Sequence, residues 1–170
     1  WHGMGIEIER KFTVVGDAWR AAAEESVRMA QGYLNDIGAV QQGRQKASVR
    51  VRIAGDEAFL NLKSRELGHT RQEFDYPIPV ADAEAMLALC TGGLIDKTRH
   101  YVRYEGFLWE VDEFAGENAG LVVAEIELPS ADTEFARPDW TGREVTDEPR
   151  YYNLALADRP YSRWSAEEKR

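Results

Sequence analysis

The sequence predicts an α+β, mainly β domain in which eight antiparallel strands close into a barrel, a tunnel with its helices packed on the outside. Three observations predict it. Apolar and charged residues alternate at period two in segment after segment, which gives each strand one apolar and one charged face. Short turn signals separate most of these segments, so successive strands pair as hairpins. The charges are also sorted by strand. Arg50, Arg52, Lys63, Arg71, Lys97, Arg99 and Arg103 form a basic set, and Glu7, Glu9, Glu110, Asp112, Glu125 and Glu127 form an acidic one. A solubilising surface intersperses the signs, and like charges at i and i+2 repel. The sorting therefore fits charged faces that converge on an enclosed lumen. The alternative is an open sheet with every charge in solvent and its apolar face against the helices.

The first strand is Gly5 to Phe12, where Glu7, Glu9 and Lys11 alternate with Ile8, Arg10 and Phe12. Gly16-Asp17 marks a turn and helix cap, and the composition of Ala18 to Met29 predicts a helix. Gln31 to Asp36, containing Gly32-Tyr33-Leu34, is the second strand. Ala47 to Ala54 is the third, with Arg50 and Arg52 on one face. Gly55-Asp56 turns the chain into the fourth, Glu57 to Ser64, where Asn61 and Lys63 lie opposite Leu60 and Leu62. After a turn at Gly68, the fifth strand, Thr70 to Ile78, places Arg71, Glu73 and Asp75 together.

Pro77 and Pro79 end that run. Ala81 to Cys90 is a helix closed by Gly92-Gly93. Leu94 to Tyr104 carries Lys97, Arg99, Tyr101 and Arg103 at period two. Glu105-Gly106 turns it into Phe107 to Phe114, with Glu110 and Asp112 aligned. Leu121 to Leu128 is the eighth strand, with Val123, Glu125 and Glu127 on one face. Beyond Pro129 the chain is irregular, with a short helix at about Asn153 to Ala157. Residues 4–164 make a single domain. Trp1 to Gly3 read as an appended remnant ahead of Met4, and Ser165 to Arg170 as a frayed tail.

Composition narrows the function. A chain of 170 residues, 44% hydrophobic, can bury one core. No apolar run approaches the roughly 20 residues of a membrane span. A net charge of −9 argues against a general nucleic-acid surface. The single cysteine, Cys90, permits no internal disulfide and suits a reducing cytoplasm; its apolar helical setting makes it a core residue. His2, His69 and His100 are scattered and form no metal or base constellation. What remains is ionic. Paired carboxylates are hard ligands for Mg²⁺ or Mn²⁺, which bind through one or two carboxylates plus substrate phosphates. Converging arginines and lysines bind phosphate oxygens. Together they describe a site for a metal-bound polyphosphate, where transfer needs charge neutralisation and positioning more than a protein nucleophile.

Glu7-x-Glu9-x-Lys11 near the start resembles the signature of the CYTH superfamily, the triphosphate tunnel metalloenzymes. The resemblance continues in order through Gln31-Gly32-Tyr33-Leu34, Arg50-x-Arg52, Leu62-Lys63-Ser64, Arg71-Gln72-Glu73, Lys97-Thr98-Arg99, Glu110-x-Asp112, Glu125-x-Glu127 and Arg150-Tyr151-Tyr152-Asn153. It implies an eight-stranded tunnel, a triphosphate-containing substrate and a divalent metal. It makes Glu7, Glu9, Glu125 and Glu127 metal-site carboxylates, and Lys11, Arg50, Arg52, Lys63, Lys97 and Arg99 triphosphate ligands, with Arg71 and Arg103 as further members of the basic wall. Glu73, Glu110 and Asp112 either orient these cations or hold a second metal. Lys97 with Tyr33 is the candidate pair for activating water or polarising the terminal phosphate; the other reading of Tyr33 is a packed aromatic.

Within the superfamily the opening motif and the Gln-Gly-Tyr-Leu segment look most like inorganic triphosphatases, which implies hydrolysis of tripolyphosphate to pyrophosphate and phosphate. The alternatives are a class IV-type adenylate cyclase, a thiamine triphosphatase, and a non-catalytic polyphosphate- or nucleotide-binding module. The sequence leaves oligomeric state open, a homodimer included.

Overall fold

The computed structural model describes residues 5–65 and 70–170, with side chains from Ile8 onward. Its strands are β1 (Gly5–Val14), β2 (Ala23–Tyr33), β3 (Ala47–Ala54), β4 (Glu57–Ser64), β5 (Thr70–Ile78), β6 (Thr91–Tyr104), β7 (Phe107–Phe114), β8 (Val122–Glu127) and β9 (Thr141–Glu144). They hydrogen-bond in the order β5-β4-β3-β2-β6-β7-β8-β1-β9. A further antiparallel pairing of β1 with β5, from Gly5↔Glu73 to Ile8↔Thr70, closes eight of them into a barrel. Closure removes the open edges that a sheet of this size would otherwise expose.

β1 divides its length between neighbours. Its first half pairs with β5; β9 then takes over that edge at Phe12 and Val14, while β8 holds the opposite edge from Glu9 to Thr13. The chain after β9 stays laced to β1. Val145 N donates to Lys11 O at 2.7 Å, and Lys11 N donates to Thr146 Oγ1 at 3.0 Å. Arg10 forks onto Glu144 at 2.6 and 2.7 Å. This lacing carries the C-terminal segment to one end of the barrel, where α4 (Asn153–Asp158) sits.

Two sequence expectations need correction. The helix expected over Ala18 to Met29 is only α1 (Ala18–Ala22), and β2 begins at Ala23 rather than Gln31. Helix-forming composition yields here to pairing. β6 is 14 residues long, and β2 satisfies its backbone groups from Ala23↔Val102 to Tyr33↔Thr91. Two further elements had no periodic signal: β9, four residues long, and α2 (Ile37–Gln41), which Asp36 caps by accepting from Ala39 N at 3.2 Å. The helix expected at Ala81 to Cys90 is α3 (Val80–Leu87), and Cys90, half-buried just beyond it, packs with Val51 and Ala58. The final residues, expected to fray, form turns in which Arg159 holds Glu168 at 2.6 and 2.8 Å. The Gly68 turn and His69 lie outside the described residues, as do Trp1 to Met4.

Because the lumen is ionic, the apolar packing lies elsewhere. One cluster covers the outer face of β1, β7 and β8, where Phe12, Trp109, Phe135 and Trp140 interlock with ring centroids 5.5–6.2 Å apart. A second lies between β3, β4 and α3. The third fills one end of the lumen, where Tyr33, Ile95 and Phe114 meet Leu156 of α4 and Trp164. Gly32 permits close packing behind this end: a Cβ there would lie 2.7 Å from Leu94 Cδ2 and 2.8 Å from Cys90 Sγ.

Trp109 is fully buried, so Trp109→Ala is expected to cost about 3–5 kcal/mol in denaturant unfolding. Glu144 is held below the usual carboxylate range by the Arg10 hydrogen bond, against partial burial, with help from Thr146. A depressed carboxylate adds stability above its unfolded pKa of about 4.3, and that stability is lost as pH falls through the lower folded value. The pair is partly exposed, so its share is under ~1 kcal/mol and salt-sensitive. Thermal midpoints measured between about pH 6 and pH 3 are expected to fall less steeply for Glu144→Gln than for the wild type.

Candidate active site

A cavity of about 330 Å³ runs through the lumen, lined among the described residues by seven cations and five carboxylates. The cations are Lys11, Arg50, Arg52, Lys63, Arg65, Arg71 and Arg99, and the carboxylates are Glu9, Glu73, Glu110, Glu125 and Glu127. Among the described residues, a protein of net charge −9 thus lines this chamber with more cations than carboxylates. Strand alternation explains the arrangement. Arg50 and Arg52 on β3, Asn61 and Lys63 on β4, Arg71 and Glu73 on β5, and Glu125 and Glu127 on β8 all occupy the inward face of the pleat.

The ions are organised around two carboxylates. Asp112 accepts from Lys97 Nζ at 2.7 Å and from Arg99 Nε and Nη2 at 2.7 and 2.9 Å. Arg99 also lies 3.4 Å from Glu110. Glu125 accepts from Lys11 Nζ at 2.8 Å. Burial alone would raise both carboxylates, but the adjacent cations hold them well below the usual range: Arg99 and Lys97 for Asp112, Lys11 then Arg99 for Glu125. Burial raises Glu110, Arg99 opposes the rise, and Glu125 and Asp112 add to it.

The cations show the complementary imbalance. Burial, then Arg50 and Arg99, pull the Arg52 guanidinium down to about 9. It remains charged at neutral pH, a buried cation beside two others with Asp112 and Glu110 only partly offsetting them. Burial lowers Lys97 well below its ordinary value; Asp112 opposes this, while Arg99 and Arg52 reinforce it. Lys11 is held above its ordinary value by Glu125 and Glu9 despite burial. The buried Arg50 Nε has no hydrogen-bond partner. An anion entering beside Arg50, Arg52 and Arg99 would supply the charge and acceptors this wall lacks.

Most expected site residues converge. Lys11, Arg50, Arg52, Lys63, Arg71, Arg99, Glu9, Glu73, Glu110, Glu125 and Glu127 line the cavity, and Asp112 ties its Arg99 wall together. Arg103 does not join them: its side chain is 63% exposed at the far end of β6 and pairs with Glu24 at 3.3 Å. Tyr33 also lines the cavity, and Lys97 Nζ lies 5.6 Å from the ring centroid of Phe114, a member of the apolar cluster that contains Tyr33. Lys97 is wholly buried and bonds Asp112 and Asn153, whereas Tyr33 packs in the apolar end cluster. The side chain of Glu7 lies outside the described residues.

Sequence reasoning assigned no role to several cavity residues. Arg65 continues the basic row of Lys63 and donates to Gln41 O at 2.7 Å. Tyr152 lies beneath Lys11 and Arg71, 5.5 and 5.2 Å from its ring centroid. Asn153 accepts from Lys97 Nζ at 3.3 Å. The last two arrive on the irregular C-terminal segment, and the Arg150 to Asn153 motif was their one available signal.

A divalent cation can be tested against the donors present. Among the described residues, no three Asp, Glu, His or Cys side chains converge in ligating geometry. Mg²⁺ and its analogues do not need three; one or two carboxylates plus waters and substrate phosphates suffice. Glu9 and Glu127 face each other across the β1–β8 pair and both line the cavity. Two carboxylates on adjacent strands at one cavity are hard oxygen donors of the number such an ion takes from protein, so this donor set fits a hard divalent ion.

The comparisons with known proteins agree with this architecture. The CYTH domain family model matches residues 5–158. An inorganic triphosphatase of Acetivibrio thermocellus is 47% identical over 159 residues, covering 93% of this chain and 97% of that protein. One of Nitrosomonas europaea is 37% identical over 154 residues, covering 89% and 96%. The crystal structure of an inorganic triphosphatase superposes with a TM-score of 0.64 at 35% identity, covering 89% of this chain and 93% of that one. A Pyrococcus horikoshii protein, at 15% identity and a TM-score of 0.55, shares the fold. Family match, identity across nearly the whole chain and an ion-lined closed barrel lead to one conclusion: the chain belongs to the CYTH domain family.

Proposed function

We propose that this protein is a divalent-metal-dependent inorganic triphosphatase that hydrolyses tripolyphosphate to pyrophosphate and phosphate inside the barrel. The observation that carries this reading is one cavity lined both by buried cations, among them Arg52 beside the like charges of Arg50 and Arg99 and Arg50 with an unpartnered Nε, and by the carboxylates Glu9, Glu125 and Glu127. Anion binding alone would not favour carboxylates beside the phosphates. The two relatives at 47% and 37% identity are both inorganic triphosphatases.

In this reading Lys11, Arg50, Arg52, Lys63 and Arg99 hold the phosphate chain by its non-bridging oxygens, with Arg71 adding charge beside Tyr152. Glu9 and Glu127 would hold the Mg²⁺ or Mn²⁺, joined by Glu125 and, on the family resemblance, by Glu7. The ion supplies Lewis-acid charge stabilisation at phosphate oxygens. A water oxygen bonds to the terminal phosphorus as the P–O anhydride bond breaks and the electron pair leaves on pyrophosphate; one proton of the water stays on the phosphate formed and the other passes to solvent. The guanidinium groups neutralise the charge that builds on the leaving oxygen, and because they are already in place the step needs little reorganisation. Lys97 contributes through Asp112, the carboxylate it shares with Arg99. The lone thiol suits a reducing compartment; among the described residues no helix is long and apolar enough to cross a membrane.

Phosphate release from tripolyphosphate, thiamine triphosphate and ATP, with Mg²⁺ or Mn²⁺ and with chelator, tests the proposal. Release from tripolyphosphate far above that from ATP, abolished by chelator, is expected. Cyclic AMP formation, or tight binding without turnover, would overturn it. Glu9→Gln is expected to lower kcat on the order of 100-fold or more and to raise the metal concentration needed for activity. Arg52→Ala is expected to act chiefly on KM, raising it roughly 10- to 100-fold, as for loss of a hydrogen bond to a charged group.

A further inference from the structure

Gln31 is fully buried on the inward face of β2, two residues from the cavity-lining Tyr33 and opposite Arg52 in the β2–β3 register. Its Oε1 accepts from Arg52 Nε at 2.8 Å. That bond fixes the amide, because only the carbonyl oxygen can accept from a guanidinium. The NH₂ group is therefore the free corner, and Gln31 Nε2 is buried without a hydrogen-bond partner.

A buried amide donor with nothing to donate to is costly, and native structures retain few of them. The surroundings explain why none of its neighbours satisfies it. Across β2 stand Arg52 on one strand and Ile95 on the other, and the adjoining wall is donor-rich, with Arg50 Nε also lacking a partner. Two buried donors on these adjacent strands, Gln31 Nε2 and Arg50 Nε, thus have no acceptor. A phosphate oxygen is an acceptor with several lone pairs and a negative charge, and it would satisfy these donors together.

We propose that Gln31 is a substrate-positioning residue: its carbonyl aims the Arg52 fork, and its amide donates to an oxygen of the phosphate chain held beside Arg52. This assignment rests on the triphosphatase reading and deepens it, adding a neutral donor beside the arginines of β3. A neutral donor has a distinct use, since it adds a directed hydrogen bond without adding to the repulsion among Arg50, Arg52 and Arg99.

Two substitutions test it. Gln31→Glu keeps an acceptor for Arg52 but replaces the donor with an anion facing the substrate. Gln31→Met keeps the approximate volume and removes both functions. For each, KM and kcat for tripolyphosphate with Mg²⁺, calorimetric affinity for tripolyphosphate, and thermal midpoint are measured. Both variants are expected to unfold cooperatively, with KM raised roughly 10- to 100-fold and kcat less affected, and Gln31→Glu at least as impaired as Gln31→Met. In an Arg52→Ala background, Gln31→Met is expected to cost less than it does alone, because the two act on one substrate group. A KM within twofold of the wild type in either variant, or full additivity with Arg52→Ala, would overturn the assignment while leaving the triphosphatase reading intact. A wild-type protein that neither binds nor hydrolyses tripolyphosphate would overturn both.

Discussion

A closed sheet that turns its charged faces inward must balance those charges with almost no bulk water. The Asp112 carboxylate, gripped by Lys97 and Arg99, is where this constraint is most severe, for all three residues are at most 7% exposed. Removing ions from water is expensive, and their attraction repays the cost only when geometry is good and the remaining donors and acceptors are met. Asp112 meets the condition with three hydrogen bonds; Glu125 meets it through Lys11. Arg50, with its buried Nε unpartnered, and Arg52, buried beside Arg50 and Arg99, are less well served. The barrel is thus charge-balanced at its anchors and incomplete at Arg50 and Arg52, and an incomplete chamber of fixed cations is a receptor for anions.

This inversion determines where cohesion comes from. With ions in the middle, the apolar residues that would fill a small barrel's interior are displaced to the outer surface and to one end. The aromatic cluster around Trp109, the contact of α3 with β3 and β4, and the Tyr33–Phe114–Trp164 cluster are three separate cores around one polar centre. The helices and the laced C-terminal segment are therefore structural necessities: without them the outward apolar faces would lie in water. The same segment also brings Tyr152 and Asn153 to the lumen, so covering the barrel and finishing the site are done by one stretch of chain.

Much of this was legible in the sequence, for a definite reason. Period-two alternation reports the face of a strand directly, and so Arg50, Arg52, Lys63, Glu9, Glu110 and Glu125 could be placed together before any coordinates. Alternation says nothing about depth along the barrel axis. Arg103 shares a face with Arg99 but stands where β6 runs out into solvent, and Tyr33 shares the lumen with Lys97 but belongs to its apolar end. β2 was hidden behind an alanine- and glutamate-rich start that favours helix locally, and only its 14-residue neighbour reveals the pairing. Gln31 was visible as part of a motif, yet its unpaired amide emerges only when Arg52 is seen against it.

The seam that shuts the barrel joins residues 5–8 to 70–73, and the neighbouring pairing joins 9–13 to 123–127. Such distant contacts form late and slowly, since the entropy of a long loop is lost before any contact rewards it. Until then the hairpins of β3, β4 and β5 and of β6 and β7 can assemble with their charged sides wet, where salt and water screen the repulsion. Enclosing the most ionic surface of this protein and closing its sheet are therefore one and the same event, because the chamber has no wall on this side until β1 lies between β5 and β8.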